Sequence, residues 1–127
     1  MRTERTANGT LEHWSAEEVS QAFARNEIAV IDVRTPQEYM LEHIPGALLM
    51  PMNDFDPEKL PTGGKKRLVF HCGSGARSEK VARLALEAGL DPVAHLEGGF
   101  RAWKDAKLPY IGADTATGAP KRVEGAS

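Results

Sequence analysis

The sequence predicts an α/β fold built on a mostly parallel sheet. Short apolar runs of strand length alternate along the chain with segments of helical periodicity, the pattern of βαβ units. The run Leu68-Val69-Phe70 passes through a glycine-rich turn, residues 72–77, into an amphipathic segment from Ser78 to Leu86. The predicted helices open on capping signals and close on glycine or proline.

Ser15-Ala16-Glu17-Glu18 is a capping box, in which the Ser15 hydroxyl and the Glu18 carboxylate each take a backbone N–H that the first helical turn leaves free. It opens a helix to about Arg25, and Ala29 to Val33 follow as a central strand. Thr35-Pro36-Gln37-Glu38 repeats the device, with Pro36 as first helical residue, and this short helix ends before Pro45-Gly46. Ala47 to Met50 form a short strand, and Asp56 to Leu60 a brief helix stopped by Pro61 and Gly63-Gly64. The strand before Cys72 comes next, and the helix after it ends at Gly89, suited to the left-handed position beyond a helix C-terminus. Val93 to Leu96 give a last strand and Phe100 to Ala106 a last helix. Residues 1–9 are expected to be a flexible lead-in, 10–107 the folded domain, and 108–127 a flexible tail rich in Ala, Gly, Thr and Pro.

Composition narrows the function classes. The 127 residues, 41% hydrophobic and 27% charged, suffice for one domain with its own core. The net charge of −2 gives no electrostatic footprint for nucleic acid. A single cysteine excludes an internal disulfide. The charged start Met1-Arg2-Thr3-Glu4-Arg5 does not read as a signal peptide, and no apolar run is long enough for a membrane span. The expected location is a reducing cytoplasm.

The single cysteine sits where chemistry can use it. Cys72 lies where an apolar strand stops and a helix begins, the edge at which parallel sheets place their crevice. Gly73, Ser74, Gly75 and Ala76 carry no bulky side chain, so successive backbone N–H groups can converge on an anion, and the helix N-terminus adds partial positive charge. A free thiol with a pKa near 8.5 is only a few per cent ionised at neutral pH. Lowering it by about two units takes roughly 2.7 kcal/mol. A helix terminus supplies up to about 2 kcal/mol and charge-assisted N–H bonds supply more, so the loop alone can make a thiolate.

The loop Cys72 to Arg77, a cysteine, four residues and an arginine, resembles that of the rhodanese-like sulfurtransferases, which carry sulfane sulfur as a cysteine persulfide. Ile31-Asp32-Val33-Arg34-Thr35-Pro36-Gln37-Glu38-Tyr39 with His43-Ile44-Pro45-Gly46-Ala47 resembles the family's upstream signature, and Leu96-Glu97-Gly98-Gly99-Phe100-Arg101-Ala102-Trp103 its downstream one. The resemblance implies a three-layer fold with a central five-stranded, mostly parallel sheet flanked by helices. Glu42 departs from it, standing where the family often has glycine before His43.

The same resemblance implies a thiosulfate sulfurtransferase working by double displacement. Cys72 would be the nucleophile, and Gly73, Ser74, Gly75, Ala76, Arg77 and Ser78 would bind the donor, Arg77 orienting loop and anion. The donor would be thiosulfate or another small anionic sulfur compound such as a persulfide, and the acceptor cyanide, a thiol or a sulfur-carrier protein. No cofactor or metal is required. Asp32 and Arg34 fall at the C-terminal end of a central strand, either as an ion pair supporting the loop's neighbours or as groups that also tune the site.

The other candidates are weaker. Alternate strand residues face opposite sides, so the His71 ring should point away from the Cys72 thiol. His43 reads as a hydrogen-bonding turn residue, His13 and His95 as isolated, and Phe100 and Trp103 as core. Lys65-Lys66-Arg67 lies at the far end of the strand, roughly 15 Å away at about 3.3 Å per residue, and reads as a solvated turn. Two other classes compete. A cysteine phosphatase or arsenate reductase uses a similar loop, but phosphatases place five residues between cysteine and arginine to surround a tetrahedral anion. A non-catalytic binding module of this fold commonly lacks the cysteine.

Overall fold

The alternation of strands and helices is realised in the computed structural model, which describes residues 1–125. In chain order the elements are β1 (Arg2–Thr6), β2 (Gly9–Trp14), α1 (Ala16–Ala24), β3 (Ile28–Asp32), α2 (Pro36–Leu41), β4 (Glu42–His43), β5 (Leu48–Leu49), β6 (Arg67–His71), α3 (Ala76–Glu87), β7 (Val93–Leu96), α4 (Gly99–Asp105), β8 (Tyr110–Ala113) and β9 (Pro120–Val123). Two 3-10 turns, Met52–Asp54 and Pro57–Lys59, fill the link between β5 and β6, the second standing where a brief helix is expected.

The main sheet is six-stranded, in the order β1-β2-β7-β6-β3-β5. Its strands from β2 to β5 are all parallel, and β1 adds antiparallel to β2 at one edge. The five parallel strands are thus those the resemblance implies, with one extra. β2 carries no strand prediction, although its exposure alternates inward at Leu11 and His13. Both capping boxes form, Ser15 with Glu18 and Thr35 with Glu38. Gly89 takes the left-handed φ of +95° just past α3.

Both ends differ from expectation. The sequence predicts a flexible lead-in over residues 1–9, yet Arg2 to Thr6 pair along their whole length with Gly9 to His13. Their side chains, Arg-Thr-Glu-Arg-Thr, present no apolar face, so backbone pairing rather than burial makes the strand. The segment 108–127 was likewise expected to be a flexible tail. Within it β8 and β9 form a hairpin that joins β4 in a second, three-stranded antiparallel sheet. Trp103 Nε1 donates to Pro109 O at 2.8 Å, and Tyr110 meets Phe100 edge to face with centroids 5.6 Å apart. Residues 126 and 127 lie outside the described part.

Strand alternation sorts the core into two layers. Leu11, Ile31, Val33, Phe70, Cys72 and Val93 pack on one side against Val81, Ala82, Ala85 and Leu86 of α3. Val30, Val69, Ala94 and Leu96 pack on the other against Val19 of α1 and Phe100 and Trp103 of α4. Each fully buried large apolar side chain contributes about 1.5–3 kcal/mol. Cys72 therefore hangs on the α3 side of the sheet, at the C-terminal end of β6.

Candidate active site

The Cys72 thiol is 1% exposed and sits inside its own loop. Gly75 N–H points at Sγ from 3.1 Å and Ser78 N–H from 3.3 Å, and the Ser78 hydroxyl lies 3.6 Å away. Burial pushes the thiol up. The Ser78 N–H and hydroxyl with the Gly75 and Ser74 N–H groups outweigh burial and hold it below its ordinary value. Gly75 reaches this position through a left-handed φ of +108°, open to glycine at no steric cost. The helix starts at Ala76 rather than Ser78, so Ser78 lies in the first turn, whose N–H groups lack helical partners. Ser74 and Ala76 form the exposed rim.

Two other elements hold the loop. The N–H of Phe100 donates to Cys72 O at 2.7 Å and that of Arg101 to Gly73 O at 3.1 Å, so the free donors opening α4 clamp the loop from below. A Cβ on Gly99 would lie 2.5 Å from Cys72 O, so the glycine permits this approach. On the other flank Arg77 makes a bidentate pair with Glu38, at 2.7 and 3.0 Å. Arg77 drives the Glu38 carboxyl down to about 2, and Glu38 raises the arginine in turn. The arginine fork is therefore spent on α2, a pairing hidden in the sequence because Glu38 reads locally as a helix cap. Arg101 is exposed beside Gly73.

Asp32 and Arg34 form a buried ion pair at 2.9 Å, and Arg34 also donates to Glu42 O. Asp32 pairs in register with His71 of the neighbouring strand, whose Nε2 stands 3.4 Å from Asp32 Oδ2. Burial raises the Asp32 carboxyl, but His71 and Arg34 outweigh it and hold it well below the usual carboxylate range. Arg34 stacks over the Phe100 ring at 4.8 Å, on the α4 side of the sheet, opposite the layer that contains Cys72. His43 Nδ1 lies 2.8 Å from Tyr39 O and its ring stacks on Tyr39. Glu42 takes an extended conformation and an ion pair from Lys104. Lys65 and Lys66 are exposed at the far end of β6, and Arg67 pairs with Glu12.

His13 and His95, expected to be isolated, are joined. They are partners across β2 and β7, and both point to the α3 side of the sheet. His95 Nε2 lies 2.8 Å from His13 Nδ1, and His95 Nδ1 lies 3.0 Å from the Ser78 hydroxyl. Among the described residues His13, Glu79 and His95 are the one group close enough to share a metal ion. The ring nitrogens that face each other are already engaged in the hydrogen bond, so they do not turn out toward a common ion.

Residues 15–106 match the family model described as "Rhodanese-like domain". The chain is 36% identical to an Allochromatium vinosum protein named sulfurtransferase, over 76% of its own length and 91% of the relative's. It is also 36% identical to an uncharacterized Synechocystis protein over 73% of its length, and spans 52% of that relative. A Rhodopseudomonas palustris structure described as a possible tyrosine phosphatase superposes with a TM-score of 0.66 at 30% identity, covering 76% of this chain and 81% of that one. A rhodanese-related protein of Thermoplasma volcanium gives a TM-score of 0.69 at 22% identity, covering 79% and 97%, which concerns the fold. By the span of the family match and the order of its three motifs, the chain belongs to the rhodanese-like domain family.

Proposed function

We propose that the protein is a sulfurtransferase that carries sulfane sulfur on Cys72. The observation that supports this most is the pair of N–H groups at 3.1 and 3.3 Å from a buried Sγ, a setting that stabilises a thiolate and then a persulfide anion. The thiolate attacks the outer sulfur of thiosulfate; a new S–S bond forms as the old one breaks, leaving sulfite and the Cys72 persulfide anion. Cyanide or a thiolate then attacks the terminal sulfur and returns Cys72 as thiolate. No redox partner enters either half.

The loop favours a donor of low charge. Positions 73–76 are uncharged and Arg77 is neutralised by Glu38, so the loop itself offers a dianion such as thiosulfate only N–H dipoles, with Arg101 beside Gly73 at its rim. A low-molecular-weight persulfide is expected to give a higher kcat/KM than thiosulfate, measured with cyanide as common acceptor; a reversed order would contradict this donor preference. The likeness to a structure described as a possible tyrosine phosphatase keeps a second reading in view. Against it stands the four-residue loop, whose arginine turns to Glu38 rather than toward a tetrahedral anion. Ready hydrolysis of an aryl phosphate by Cys72 would overturn the sulfur reading.

A further inference from the structure

A continuous line of polar groups leaves the Cys72 thiol through the core. Sγ is 3.6 Å from Ser78 Oγ, which is 3.0 Å from His95 Nδ1; His95 Nε2 is 2.8 Å from His13 Nδ1, and His13 Nε2 is 3.1 Å from Glu4 Oε1. Both rings are 2% exposed, whereas Leu11 and Val93, two positions earlier on the same strand faces, are apolar. The line ends at β1, where Arg83 of α3 bridges Glu4 and Glu79 and fixes the Glu4 carboxylate. We propose that Ser78, His95 and His13 are a proton relay for Cys72, holding the thiol's proton on His13 beside Glu4 while the sulfur is ionised. The idea rests on Cys72 being the nucleophile.

Donor and acceptor counting sets its direction. Ionised Glu4 accepts only, so His13 presents Nε2–H to it. Neutral His13 then offers a bare Nδ1, and His95 donates Nε2–H to that atom. His95 Nδ1 is thereby an acceptor and, at 3.0 Å against 3.2 Å for Gly75 O, takes the Ser78 hydroxyl proton, which leaves Ser78 Oγ free to accept from the Cys72 thiol. In the transfer the S–H bond breaks as an O–H bond forms on Ser78, whose own proton passes to His95 Nδ1. The His95 Nε2 proton passes to His13 Nδ1. The products are a Cys72 thiolate accepting from Ser78, a neutral His95 of the opposite tautomer, and a His13 imidazolium between His95 and Glu4. All protons stay in the protein and total charge is unchanged.

The surroundings suit each role. His95 changes tautomer without charging, and burial, followed by the neighbouring His13, presses its pKa down to about 4. The charged and titratable groups facing the pair are Arg2 and Glu4 on β1, Glu79 and Arg83 on α3, Glu97 after β7, and Cys72 itself. Hydrogen bonds from Arg83 and His13 keep Glu4 ionised. Storage on His13 therefore ends against a carboxylate at the surface rather than in apolar core.

The test is the pH dependence of Cys72 alkylation by iodoacetamide, with ultraviolet thiolate absorbance, in wild type, Glu4→Gln and His95→Asn. Glu4→Gln alters the outer end of the line and its Arg83 ion pair, and leaves every N–H around Sγ in place. The relay predicts that its midpoint rises by about one pH unit, a roughly tenfold slower alkylation below the midpoint. His95→Asn should show a similar rise, and Cys72→Ser should move the His13 imidazole midpoint seen by NMR, because coupling is reciprocal. A wild-type midpoint in Glu4→Gln would overturn the relay even if His95→Asn fails to fold. Alkylation reads the thiol and not sulfur transfer, so a shifted midpoint in a protein that takes up no sulfur supports the relay and sinks only the proposed function.

Discussion

Cys72 is the residue on which the proposed chemistry depends, and its surroundings divide by the side of the sheet they occupy. On the α3 side Gly75 and Ser78 aim N–H groups at the sulfur; on the other side the Asp32–Arg34 ion pair packs beside His71, away from it. Arg34→Ala would leave the buried Asp32 carboxylate without its main partner, at a cost of about 3–5 kcal/mol in urea unfolding. Turnover per folded molecule should change little, since Arg34 spends its hydrogen bonds on Asp32 and Glu42; a large loss of kcat in a stable variant would make Arg34 a tuning residue. Cys72 was legible in the sequence because the small residues after it have few other uses. The joining of His13 and His95 was not. Each looks isolated until β2 is recognised as a strand parallel to β7, and only that register faces them across the gap.

At the scale of elements, the loop is shaped by helices that precede and follow it. The capping boxes of α1 and α2 and the end of α3 could be read from local chemistry, because caps depend on neighbours three residues away. The second duty of Glu38, holding Arg77 across a long stretch of chain, needs the tertiary fold. Gly98-Gly99 was visible as a motif, while its reason is the close approach of α4 to the loop carbonyls. Gly99→Ala would force a Cβ to 2.5 Å from Cys72 O at a φ of +62°. We expect a loss of about 1–3 kcal/mol of stability and a slower thiol whose alkylation midpoint is higher. Unchanged alkylation kinetics in that variant would show that α4 does not shape the loop.

For the whole molecule, a single alternation of strands and helices was enough to predict the class of fold, whereas both chain ends went unread. β1 lacks an apolar face, and the β8–β9 hairpin is two four-residue strands on either side of a run of turn residues, so neither announces itself by pattern. Acid stability belongs to this scale. His95 is held near 4, against an ordinary 6.5, chiefly by burial, so the folded state prefers it neutral. Its contribution is present above about 6.5 and is lost as pH falls from 6.5 toward 4; Glu38, held at about 2, adds a second loss below 4.5. Urea midpoints should decline across the upper window, less steeply in a folded His95→Asn, and a flat profile would contradict the burial of a neutral imidazole. The central claim, that Cys72 carries sulfur, is tested most directly by the intact mass of the reduced protein after thiosulfate or glutathione persulfide, beside Cys72→Ser. The prediction is a gain of one sulfur, about 32 Da, absent from the variant and discharged by cyanide. No gain from either donor would contradict it.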